Sequence, residues 1–161
     1  MRSEHAARAD ARGAGRGRAR STRDPAVQRE IVDWALYRAL SASGLDTFTD
    51  FVRARMYLRR GTELPTPFGD PDGAWYWFFE QKNLPATFVD SVDSVDSVDG
   101  ARHGVRQQAM AMSALFAAAE EDPLRAALDT LYAAARTYGS TYPALLAEVR
   151  QAFPDLDWQR A

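Results

Sequence analysis

Apolar residues recur at helical spacing along most of the chain beyond residue 24, and the segments they mark are separated by Gly, Pro and acidic turns. Over 24–43, Val27, Ile31, Trp34 and Ala35 share one helical face while Val32, Leu36, Ala39 and Leu40 share another. A helix apolar on two sides must be covered on two sides, so this segment predicts a central helix. Asp24 suits its N-cap, Pro25 its first helical position and Gly44 its stop. A second helix is expected over 47–60, opened by Thr47 and Asp50 as a variant capping box and ended by Gly61. Its apolar arc is Phe48, Phe51, Val52 and Leu58, and Arg55 projects into the middle of that arc, where it needs a carboxylate or a route to solvent.

Residues 61–73, rich in Pro and Gly, form a loop that leads into five consecutive aromatics, Trp75, Tyr76, Trp77, Phe78 and Phe79. Fully burying one such side chain stabilises a fold by roughly 1.5–3 kcal/mol, so the run marks either the core or a surface kept for a partner. Helical neighbours and the lack of β-branched residues predict a short helix over 72–83. Burying all five rings on one short helix would require packing on nearly every side. Trp75, Phe78 and Phe79 are therefore expected inside, with Tyr76, Trp77 and Lys82 available for contact.

The triplet Val-Asp-Ser recurs from Val89 onward with a period of three, which matches neither helix nor strand, so 86–100 reads as an acidic, solvated linker. Three apolar stripes follow. Val105, Ala109, Met112, Phe116 and Ala119 form the first; Leu124, Leu128, Leu131, Ala135 and Tyr138 the second; Leu145, Val149 and Ala152 the third. The turns at Glu121-Asp122-Pro123 and Gly139-Ser140-Thr141 are short, which predicts an antiparallel three-helix stack over 101–153. The expected architecture is all-α, with about six helices in a single domain over 24–161, whose N-terminal half (24–85) carries the aromatic run.

Charge divides the chain. Residues 1–23 carry seven Arg against Glu4 and Asp10, whereas the remainder is net acidic and the whole has a formal charge of -2. Large apolar residues other than Met1 are missing from this arm, which predicts disorder. The chain has no cysteine, which excludes disulfides, zinc–thiolate sites and thiol nucleophiles. No apolar run is long enough to span a membrane and no apolar core follows the first arginines, so a cytoplasmic protein without membrane association is expected.

Candidate chemistry is sparse. Arg53 and Arg60, seven apart, lie on one side of the second helix and offer a partner-binding strip, and Arg16, Arg18, Arg20 and Arg23 offer phosphate contacts. Asp70-Pro71-Asp72-Gly73 opens like an EF-hand loop, but Trp75 and Gln81 stand where Gly and the bidentate Glu belong, which leaves Asp70 and Asp72 as weak metal candidates. His5 and His103 have no partners at ligand or triad spacing. No Gly-rich phosphate loop, nucleophile elbow or H-E-x-x-H motif occurs. No catalytic residue and no cofactor are assigned. The leading expectation is a non-catalytic protein-interaction or regulatory module that binds another protein, or itself through an aromatic face. Nucleic-acid binding through the arm and the Arg53/Arg60 strip is the alternative, and a carboxylate enzyme using a divalent ion the third.

Overall fold

Asp24 accepts a hydrogen bond from the Ala26 amide and Pro25 presets the first helical turn, so helix α1 (Pro25–Ala42) begins at its sequence signal. The computed structural model describes residues 20–92 and 104–156. After α1 come α2 (Thr49–Arg59), α3 (Pro71–Glu80), β1 (Phe88–Asp90), β2 (Gly104–Arg106), α4 (Gln107–Ala118), α5 (Pro123–Tyr138), a 3-10 turn (Gly139–Thr141) and α6 (Tyr142–Ala152). The fold is all-α, with six α-helices and one two-stranded antiparallel sheet among the described residues.

Helix α1 is central, as its two apolar faces predict. Val27, Ile31, Val32, Ala35, Leu36, Ala39 and Leu40 are all buried, and α1 packs against α5, α4 and α2. Helix α2 starts later than expected, because Phe48 rather than Thr47 holds its N-cap position and no side chain caps it; Asp50 binds Arg53 at 3.2 Å instead. Arg55 escapes the apolar arc by a two-pronged contact with Asp33 of α1, both oxygens at 2.8 Å, while its guanidinium lies 4.7 Å from the Tyr37 ring centroid.

The second stripe is rotated: Leu131, Ala135 and Tyr138 pack half-buried against the core, but Leu124 and Leu128 do not. Helix α5 turns Ala126, Ala127, Thr130, Ala133, Ala134 and Thr137 to the core, whereas Leu124 and Leu128 are exposed and Leu131 only half-buried. Its most extensive neighbours are α1 and α4, and small side chains let three backbones approach where leucines would hold them apart. Thr130 is fully buried and its hydroxyl has no hydrogen-bond partner among the described residues. Thr130→Val, which keeps the shape and deletes the orphan hydroxyl, is therefore expected to stabilise the protein by about 1 kcal/mol in urea unfolding. The first stripe is also shifted: Val105 belongs to β2 rather than to a helix, Ala119 is exposed, and Gln108, Ala111, Met112, Ala114, Leu115 and Ala118 form the buried side of α4. In α6, Leu145 and Val149 are buried as predicted, while Ala152 is exposed.

The start of the expected linker is structural. Phe88, Val89 and Asp90 pair with Arg106, Val105 and Gly104, so the Val-Asp-Ser repeat begins in a strand rather than in solvent. The rest of the repeat and His103 lie outside the described residues. Fully buried Gln108 anchors this region by donating from Nε2 to the Ser43 carbonyl and to Thr87 Oγ1, each at 2.8 Å, and accepting from the Thr87 amide at 3.0 Å.

Candidate functional site

Helix α3 positions the aromatic run. Asp70 accepts from the Gly73 amide at 3.0 Å and so caps the helix, with Pro71 in its first turn. Ala74 and Phe78, four residues apart, point into the core and are fully buried. At 100° per residue, Trp77 turns to one side of Phe78 and Phe79 to the other. Trp77 packs against Phe51 and Phe68, with ring centroids 6.1 and 5.3 Å away, and is half-buried. Phe79, expected inside, is instead 64% exposed, and Tyr76 is 73% exposed. Phe79 is nevertheless held. Its ring stacks on Trp75 at 6.0 Å and 25° and meets Phe78 edge-on at 5.2 Å, and Trp75 in turn rests 6.0 Å from Phe116 of α4. The outcome is an outward aromatic pair, Tyr76 and Phe79, on a braced base, with exposed Asp72 before it and exposed Lys82 after it.

The remaining predicted residues are dispersed. Arg53 is exposed and tied to Asp50 and to the Thr66 carbonyl at 2.8 Å, while Arg60 forms the C-cap of α2. Arg20 pairs with Glu30, Arg23 is exposed, and Arg16 and Arg18 lie outside the described residues. Asp70 is engaged in capping, Asp72 lies in the first turn of α3, and no group of three His, Asp or Glu side chains placed to hold a metal ion occurs among the described residues. Tyr138 has its phenol pushed above the ordinary value of 10.0, first by burial and then by its hydrogen bond to Glu148. Arg38 meets the same Glu148 oxygen at 2.6 Å, which makes this cluster a clasp between α1, α5 and α6.

Two features escaped the sequence reading. One is the outer ridge of α5, where Leu124, Leu128 and Tyr132 are each more than half exposed, four residues apart. The other is a cleft of about 860 Å³ between α1, the end of α2 and the end of α4. Val32, Leu36, Leu58 and Phe153 supply apolar lining, and Glu30, Asp33, Glu63, Glu120 and Glu121 outnumber Arg29 and Arg59 among its charged residues. Arg29 is committed to the carbonyls at the end of α4, donating to Glu120 and Glu121 at 2.8 and 2.6 Å. Asp33 is held by Arg55, whereas Glu63 and Glu121 make no ion pair among the described residues. The residues of this cleft come from four separated stretches of chain, so no local motif could have announced it.

In comparisons with known proteins, no family, no curated protein and no solved structure matches this chain.

Proposed function

We propose that the protein is a non-catalytic interaction module that pairs with a second copy of itself through the aromatic face of α3. The observation that carries this reading is the braced but outward Phe79, stacked on Trp75 and 64% exposed beside an even more exposed Tyr76. A large ring fixed in one orientation loses little conformational entropy when a partner covers it, the property of an interface anchor. The face is also self-complementary. When two α3 helices meet antiparallel about a two-fold axis, Tyr76 of each falls opposite Phe79 of the other, and Asp72 falls near Lys82 across the pair. Antiparallel alignment opposes the helix dipoles as well.

Two exposed aromatics per copy cover less than the roughly 800 Å² that each partner in a stable complex buries, so association is weak, with Kd on the order of 100 µM. In sedimentation equilibrium the full chain should show a concentration-dependent dimer, and the double variant Tyr76→Ser with Phe79→Ser should raise Kd by at least about tenfold. Phe79 also gives up its ring contacts with Trp75 and Phe78, so the same variant should lose about 1–3 kcal/mol of folding stability and remain folded. Unchanged association in a folded double variant would defeat the reading.

A further inference from the structure

We propose that the acidic cleft between α1, α2 and α4 is a receptor for a guanidinium-bearing extended segment, and that residues 15–20 of the chain's own arm occupy it. Three observations converge on this occupant. The first is where the described chain begins: Arg20 pairs with Glu30, and Glu30 lines the cleft, so the arm reaches the body at the rim of this cavity. The second is charge. The lining carries five carboxylates against two guanidiniums, of which Arg29 is consumed by carbonyls of the chain itself; Asp33 and Glu120 are met by Arg55 and Arg125 from outside the lining, which leaves Glu63 and Glu121 for the arm. The third is spacing. Arg16, Arg18 and Arg20 alternate with Gly17 and Ala19, and in an extended segment residues two apart project from the same side.

With Arg20 on Glu30, an extended arm therefore turns Arg18 and Arg16 to the same side, about 7 and 13 Å further on. A cavity of about 860 Å³ is roughly a nanometre across, so those two guanidiniums span it toward Glu121 and Glu63, the carboxylates without an ion pair among the described residues. The aliphatic stems of the arginines lie over Leu58 and Phe153, while Gly17 and Ala19 keep the backbone close to the wall. Exposed pairs of this kind are individually weak, so occupancy depends on several acting together and is sensitive to salt.

Because the chain has no cysteine, Ala14→Cys with Ala119→Cys gives two unique spin-label positions on the full-length protein, one just before the docked segment and one on the cleft rim. Electron–electron distance measurement at low salt is expected to show a narrow, short population. That population should be lost in about 1 M salt, where the screening length is about 3 Å. It should also be lost in Glu63→Gln with Glu121→Gln, and in Arg16→Gln with Arg18→Gln, which changes the arm alone. A broad distribution that none of these changes affects would overturn the proposal. So would a short distance that appears between molecules in a mixture of singly labelled proteins, since the occupant would then be the arm of a second copy.

Discussion

Gly139→Ala is expected to lower the melting temperature by at least about 10 °C, the largest effect of an added methyl among the described glycines. Gly139 closes α5 with φ 60° and ψ -136°, a backbone conformation that side-chain-bearing residues rarely adopt. The space is closed as well. A Cβ there would sit 2.5 Å from the Asp90 carbonyl oxygen and 2.7 Å from Val89 Cβ and Cγ2, so strand β1 and the turn into α6 could not both keep their places. Backbone strain and overpacking each cost about 1–3 kcal/mol, and about 3 kcal/mol in total corresponds to a shift of roughly 10 °C at this size. Calorimetry checks it. A melting temperature within about 2 °C of the parent would mean that β1 does not press on Gly139.

The second large effect is expected at Gln108. Replacing it with Leu keeps approximate volume but removes three hydrogen bonds at a fully buried position, leaving the Ser43 carbonyl and the Thr87 amide to find other partners, while Thr87 Oγ1 keeps its bond to Gln107. The Ser43 carbonyl belongs to a buried residue, whereas Thr87 is exposed and water can reach it, so the substitution should cost about 1–3 kcal/mol. Neighbouring Gln107 can relieve only part of this, because its Oε1 already accepts from Thr87 Oγ1 at 2.7 Å and its Nε2 already donates to the Thr137 carbonyl at 2.9 Å. The urea midpoint should fall with little change in slope, as for loss of stability without loss of compactness. An unchanged midpoint would show that the chain between α3 and α4 is not held by this node.

These two positions also show why some of the fold was legible in the sequence and some was not. Helix α1 could be read because local and global signals agree there: a cap, a proline and two apolar faces. The face that helix α5 buries is rotated from the one its leucines mark, since Leu outweighs Ala and Thr in any hydrophobic pattern while close packing between α1 and α4 demands small side chains. Strand β1 was hidden by the triplet repeat, and its partner β2 lies beyond residues 93–103, so the pairing is non-local. Of the aromatic run, the burial of Phe78 and the exposure of Tyr76 followed from helical spacing. The exchange of Trp77 and Phe79 did not, because it depends on where Phe51, Phe68 and Phe116 arrive from other helices.

The arginines divide in the same manner. That Arg55 needs a carboxylate was readable from its place in an apolar arc, but that Asp33 supplies it depends on how α2 crosses α1. The acidic cleft depends on the same crossing, together with the end of α4, and its charge balance is a property of assembled elements rather than of any segment.

Self-association through α3 is tested most directly by oxidative footprinting of the full chain over a range of concentrations that spans the dimer transition. Phe79 and Tyr76 should become protected together as concentration rises, while Tyr132 on α5, also more than half exposed, keeps a constant rate. Labelling of Phe79 and Tyr76 that is independent of concentration, or protection that appears at Tyr132 instead, would contradict the account.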